Sequence, residues 1–254
     1  MDNLKPKKHL GQHFLTDQRV ARKIVDCLQA DATDTVAEIG PGEGVLTGML
    51  AERFEHLKLI EVDPDAVEFL TRRFEGQPVE IIHTDVLKWR IDQDLPKDGY
   101  VIGNLPYNIS SPIFFHLLDY RDYVKEGVFM IQKEVAQRIC ADPGSKVYGI
   151  LSVLIGAYYD LKYEFSVPPG VFRPPPKVVS GVLRMVRRPQ APDVDPKALK
   201  KVVKAGFNQR RKTLRNALKS LEFEPFDELP ELLTKRAEQL DVDTFVKLAN
   251  HLKS

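Results

Sequence analysis

Five short apolar runs, Thr35–Ile39, Leu57–Val62, Val79–His83, Tyr100–Ile102 and Gly127–Ile131, are separated by segments with helical spacing such as Val45–Phe54 and Asp65–Phe74. Runs this short and this apolar suit strands buried on both faces, and alternation with helices makes those strands parallel. The chain is therefore expected to form an α/β domain with a parallel sheet covered on both sides. Ahead of it, Asp17 or Thr16 caps a helix with Val20, Ile24, Val25 and Leu28 on one face. After Val147 the pattern changes to an apolar stretch, Ile150–Tyr159, and two β-rich runs, Leu161–Val167 and Val178–Arg187. These late strands are expected to close the sheet as an antiparallel edge pair. Arg188–Asp195 reads as a linker with Pro189, Pro192 and Pro196 nearby, and helical spacing resumes from Leu199 to Leu248. Two domains are expected, 1–188 and 189–254.

The 254 residues are ample for a core. No apolar run approaches the roughly 20 residues a membrane span needs. The lysines near Met1 are not followed by the apolar stretch of a secretory signal. Cys27 and Cys140 are too few for a disulfide framework or a zinc site. A cytoplasmic protein without metal or membrane is expected, and nothing demands more than a monomer.

Where the parallel strands end, chemistry gathers. Val36-Ala-Glu-Ile-Gly-Pro-Gly-Glu-Gly44 joins the first strand to the next helix, so Gly40 and Gly42 allow a sharp turn and close approach of a ligand. A dinucleotide fingerprint would need a third small residue at the position of Val45 or, in the other frame, Thr47, which argues against a nicotinamide dehydrogenase. Glu61 ends the second strand, where an acid commonly takes ribose hydroxyls. Asp85 ends the third and offers an acceptor to an exocyclic amine such as adenine's. Gly-x-Gly, Glu and Asp on three successive strand ends point to a nucleoside cofactor. Without a phosphate-binding signature, S-adenosylmethionine fits better than NAD.

The fourth strand runs into Asn104-Leu-Pro-Tyr107. In an open parallel sheet this end faces the ligand crevice. Pro106 biases Leu105 away from helix, turning carbonyls outward. Asn104 brings a side-chain carbonyl and Tyr107 an aromatic face for a base. An adenine amine is a poor nucleophile with no accessible pKa, so two carbonyl acceptors, Asn104 and the Leu105 backbone, would do more for it than a base. A duplex hides that amine, so the target is unpaired or flipped out.

The formal net charge of +1 conceals a division. Residues 1–23 carry an excess of four positive charges, including Lys5, Lys7 and Lys8. Residues 200–219 carry eight bases and no acid, among them Arg210, Arg211, Lys212 and Arg215, leaving the rest of the chain at −11. Phe207–Leu218 is expected to be a helix with Phe207, Leu214 and Leu218 inward and its cations outward. A solvated face explains a single such run, whereas two runs suit phosphate contacts.

Gly11-Gln-His-Phe-Leu15, Glu38-Ile-Gly-Pro-Gly42, Glu61-Val-Asp63, Asn104-Leu-Pro-Tyr-Asn-Ile-Ser110, Gln132-Lys-Glu134, Phe172-Arg-Pro-Pro-Pro-Lys-Val178 and Phe207-Asn-Gln-Arg-Arg-Lys-Thr213 occur in this order. Together they resemble the small-subunit rRNA adenine N6,N6-dimethyltransferase family, the kasugamycin-resistance type of bacteria. The resemblance implies a Rossmann-like methyltransferase sheet with a small C-terminal helical RNA-binding domain. It implies S-adenosylmethionine-dependent dimethylation of two adjacent adenosines in the 3′-terminal hairpin loop of 16S rRNA, late in small-subunit assembly. Residue by residue, it implies cofactor contacts from His13, Leu15, Gly40, Gly42, Glu61, Asp85 and Asn104. It places Asn104, Leu105, Pro106 and Tyr107 at the target amine, with Phe172 stacking beside Tyr107. Many relatives carry Asn where His13 stands. The partner is 16S rRNA in the immature subunit, contacted through Lys5, Lys7, Lys8, Arg210, Arg211, Lys212 and Arg215. Two alternatives remain at this point: an assembly factor whose methylation is dispensable, and an antibiotic-resistance dimethyltransferase of 23S rRNA.

Overall fold

The computed structural model describes residues 4–253, apart from the side chain of Lys8. Seven strands form the main sheet: β1 (Thr35–Ile39), β2 (His56–Glu61), β3 (Val79–His83), β4 (Gly99–Asn104), β5 (Val124–Gln132), β6 (Tyr159–Val167) and β7 (Ser180–Arg187). Their order is β3-β2-β1-β4-β5-β7-β6. The pairs β1–β2, β2–β3, β1–β4 and β4–β5 are parallel, as the alternation requires. β7 runs antiparallel to β5 and lies between it and β6, so the two late strands do complete one edge of the sheet.

The chain winds outward from β1 in both directions, which makes the β1/β4 boundary the switch point of the sheet. Gly103 on β4 permits the close approach there, since a Cβ on it would lie 2.5 Å from the Ile39 carbonyl oxygen. Helices α1 (Gln18–Asp26), α2 (Val45–Arg53) and α3 (Pro64–Arg73) follow the expected spacing. Asp17 caps α1 by accepting from the Arg19 and Val20 amides, while the Thr16 hydroxyl instead donates to the Val171 carbonyl. Ile24, Leu28, Val36, Leu50, Leu57, Leu59, Ile102 and Val128 meet in the core, each contributing roughly 1.5–3 kcal/mol by burial.

The chain divides into two compact units. The first takes the chain up to Ala136 and then Lys162–Arg187; the second takes Gln137–Leu161 and everything from Arg188 onward. The second entry into this unit falls between Arg187 and Arg188, one residue before the expected boundary at 188/189, and residues 137–161 go with the second unit rather than the first. Within that unit the helix Ile150–Gly156 is buried from Leu151 to Gly156, and it lies among the contacts of helices Pro196–Asn208 and Val242–Asn250. An apolar stretch without a polar face needs cover on all sides.

The expected helix Phe207–Leu218 is not continuous. One helix ends at Asn208, residues 209–212 form a turn and bend, and a short helix begins at Leu214. The amides of Leu214 and Arg215 donate to the carbonyls of Lys235 and Leu233 at 2.7 and 2.8 Å, so they are unavailable to extend the first helix. Among the described residues no helix is long and apolar enough to cross a membrane.

Candidate active site

Register places the strand-end residues on one rim. Ile39 is level with Ile60 on one side and Gly103 on the other, and Glu61 is level with His83. The residues that follow, Gly40, Asp85 and Asn104, therefore surround one opening. A cavity of about 260 Å³ lies there, entirely within the first unit. His13, Leu15, Gly40, Gly42, Glu61, Asp85 and Asn104 all line it, as do Leu105, Pro106 and Tyr107. The seven positions expected to touch a cofactor are thus brought to one place from five separate chain segments.

Gly42 has φ +56°, and a Cβ on it would sit 2.8 Å from the Phe14 ring, so only glycine fits the turn without displacing that ring. Glu61 is 5% exposed. Its Oε1 accepts the amides of Val62 and Asp63, both at 2.9 Å, which fixes the carboxylate plane. Oε2 receives only the long 3.4 Å contact from the Gly42 amide, leaving it with acceptor capacity toward the cavity. Burial pushes the Glu61 carboxyl above the ordinary range, against the pull of those amides. Asp85 spends Oδ1 on the Leu87 amide at 2.9 Å.

Glu38, within Glu38-Ile-Gly-Pro-Gly42, is a fully buried carboxyl that also lines the cavity. It accepts the Thr47 hydroxyl at 2.6 Å, and burial pushes it up to about 8. It is not one of the strand-end acids that the sequence pattern marks, because it lies one residue inside β1. Its position one before an apolar strand end was the available signal.

Asn104 ends β4 and donates Nδ2 to the His13 carbonyl at 2.9 Å. This leaves Oδ1, the acceptor, without a partner among the described residues. Burial raises the Tyr107 phenol, opposed by a 2.6 Å hydrogen bond with the Ser180 hydroxyl. The ring that stacks with Tyr107 is His13, with centroids 5.7 Å apart and planes at 24°. Phe172 goes elsewhere. It is 4% exposed, belongs to the hydrophobic core, and faces Leu15 in a two-residue ladder of Phe14–Leu15 with Phe172–Arg173. An uncharged ring beside Leu15 and Val171 is better buried than exposed, so it anchors the proline loop and does not wall the cavity.

The basic arm is partly committed as well. Lys7 places Nζ 2.5 Å from Asp63 and 2.7 Å from Asp65, and Gln12 donates to the other Asp63 oxygen at 3.1 Å. Burial alone would push the Asp63 carboxyl up, but the hydrogen bonds from Lys7 and Gln12 bring it below its ordinary value. Lys7 thus fastens the segment His9–Leu15 along the cavity, and its charge is already matched rather than free for phosphate. Lys5 is exposed, and the Lys8 side chain lies outside the described residues. In the second unit Arg211, Lys212 and Arg215 are exposed, whereas Arg210 is half-buried with Nη2 3.4 Å from the Ser145 carbonyl. No group of three or more potential metal ligands occurs among the described residues.

A glycine turn, a buried acid with acceptor capacity left on one oxygen and a carbonyl-bearing turn around one cavity suit a nucleoside cofactor next to an amine. Comparison with known proteins is in accord. Residues 3–254 match the family model described as ribosomal RNA adenine dimethylase. The chain is 50% identical over 257 residues to a protein of Cytophaga hutchinsonii, covering 99% of each. It is 49% identical to one of Parabacteroides distasonis, covering 96% of this chain and 93% of that one. Both relatives bear the name ribosomal RNA small subunit methyltransferase A. The fold is shared with a dimethyladenosine transferase of Plasmodium falciparum, at TM-score 0.82 and 24% identity over 94% of this chain and 99% of that one. It is also shared with a 23S rRNA methyltransferase, at TM-score 0.71 and 23% identity over 95% of this chain and 100% of that one. With a family model spanning nearly its whole length and relatives at half identity, this chain belongs to the ribosomal RNA adenine dimethylase family.

Proposed function

We propose that this chain dimethylates the N6 amines of two adjacent adenosines in the 3′-terminal hairpin loop of 16S rRNA, using S-adenosylmethionine, on the immature small ribosomal subunit. The observation that carries this reading is the presence, in one cavity, of Glu61 Oε2, which holds only a long contact from the Gly42 amide, and Asn104 Oδ1, the acceptor end of an amide fixed through Nδ2. The small-subunit assignment is supported by the name borne by the relatives at 49–50% identity. The chain acts as a monomer.

The residues present fit the cofactor. Glu61 Oε2 takes the ribose hydroxyls, and the second Asp85 oxygen takes the adenine amine. The bare backbone of Gly40 and Gly42 admits the methionyl portion, and Leu15 contributes an apolar wall. When bound, S-adenosylmethionine supplies an electrophilic methyl group.

The chain's own work is to hold the acceptor amine. Asn104 Oδ1 and the Leu105 carbonyl accept its two hydrogens, which withdraws the nitrogen lone pair from the ring and directs it into the cavity. Fixing Nδ2 on the His13 carbonyl keeps the acceptor end of Asn104 inward, so its dipole is in place before the substrate arrives. No general base is needed, since the displaced proton leaves an already acidic nitrogen to water. In the second unit, the exposed Arg211, Lys212 and Arg215 meet the RNA backbone, which favours recognition by shape and charge over base reading.

Mass spectrometry of 16S rRNA from cells lacking this chain tests the assignment. Two adjacent adenosines should lose both methyl groups and regain them when the gene is restored. An unaltered 16S rRNA would overturn it, and a loss in 23S rRNA instead would move the substrate to the large subunit.

A further inference from the structure

The phenol oxygen of Tyr107 lies 2.6 Å from the hydroxyl of Ser180, a residue that no motif reading assigned to the site. Ser180 is 0% exposed and opens β7, where it sits level with Gln132 of β5 inside the sheet. A hydroxyl carried on a paired strand is a stiff anchor, and burial strengthens its one hydrogen bond. The Tyr107 ring also stacks with that of His13. His13 is itself tied down, with Nδ1 2.8 Å from the Pro174 carbonyl and its own carbonyl taken by Asn104.

We propose that Ser180 is a positioning residue for methyl transfer. It fixes the plane of Tyr107 so that the ring face turned away from His13 receives the target adenine. Aromatic rings in direct contact have centroids about 4.5–7 Å apart. At 5.7 Å, His13 and Tyr107 are in contact and leave no gap for a base between them. The base therefore uses the opposite face, and its tilt follows the tilt of the phenol ring. A ring freed to rock about its Cβ would let the amine drift from Asn104 Oδ1, and misplacement at this scale lowers turnover more than binding. The assignment rests on the adenine-dimethylating reading, and the wild-type reaction is the control that separates the two.

The test is a double-mutant cycle on Ser180→Ala and Tyr107→Phe, assayed with small subunits from cells lacking this chain. Wild-type failure to methylate these subunits would sink the proposed function itself. With wild type active, each variant should lose roughly five- to tenfold in kcat, the size of one neutral hydrogen bond. KM for S-adenosylmethionine should stay within twofold. The double variant should be no worse than either single one, because both remove the same bond. Losses that multiply, or a fully active Ser180→Ala, would overturn the proposal. If Ser180→Ala does not fold, Tyr107→Phe removes the bond from the other side without emptying the sheet, and full activity of that variant would overturn it equally.

Discussion

On the proposed function, the cavity rim and the basic run of the second unit meet one substrate by opposite means. At the rim, each polar atom has one direction: Glu61 Oε1 is spent on two amides so that Oε2 faces inward, and Asn104 spends Nδ2 so that Oδ1 does. Along residues 209–215, Arg211, Lys212 and Arg215 are exposed on a turn and the start of a short helix, and only the half-buried Arg210 approaches a carbonyl. Geometry is the working quantity in the first region and charge density in the second. The difference teaches that a substitution should be judged by what its region depends on. Removing one atom disables the rim, whereas the basic run answers to the number of charges.

The largest effect should follow Asn104→Ala, which removes a preorganised acceptor. We expect methyl transfer to fall on the order of 10²- to 10³-fold while affinity for the subunit changes less than twofold. A parallel loss of RNA binding in a filter assay would erase the distinction between the two regions. Next comes Glu61→Ala, with calorimetry expected to show S-adenosylmethionine binding weakened about ten- to a hundredfold. Unchanged affinity would remove Glu61 from the ribose. Neutralising Arg210, Arg211 and Lys212 to Gln together should flatten the salt dependence of RNA binding by roughly two to three units in log–log slope if all three meet phosphates. A slope change of only about 1.5, the size two contacts give, would fit an Arg210 held back by the Ser145 carbonyl. Cofactor affinity should not move.

The smallest effect concerns stability and pH. The Glu38 carboxyl rises from 4.5 to about 8 on burial. An acid whose folded value lies above its unfolded one costs stability as pH rises from the unfolded value toward the folded one, because only the unfolded chain gains the charge. Glu38→Gln keeps an oxygen for the Thr47 hydroxyl and removes the titration. Its melting temperature should exceed that of the wild type at pH 8 and match it near pH 4.5, by about 2–4 °C for each kcal/mol recovered. Equal differences at both values would show that the buried carboxyl is not what titrates.

Much of the rim was legible because a parallel sheet converts regular sequence spacing into spatial alignment. Thr35–Ile39 and Val79–His83 match their strands residue for residue, and the residues following them meet at one opening. What could not be read depended on partners distant in sequence. The family resemblance implies a base-stacking ring at Phe172, whereas its pairing with Leu15 places it in the core. Lys7 looked like a free cation, and only Asp63 and Asp65 show it to be a fastening. The helix expected through Arg210 fails because Leu233 and Lys235 compete for two amides. Helical spacing reports which face is apolar and says nothing of a competitor for the backbone.

The second unit is assembled from two stretches of chain separated by two strands of the sheet. During synthesis, Ile150–Gly156 is made some forty residues before Pro196–Asn208 and longer still before Val242–Asn250. For that interval a helix that is apolar but for Ser152 lacks part of its native cover, since the two later helices that contact it have not left the ribosome. A chain cut after Arg188 would prolong the same exposure indefinitely, so the catalytic half should be insoluble alone unless residues 137–161 are bridged out as well. The protein thus has, during its own synthesis, a vulnerable period set by the order of its chain.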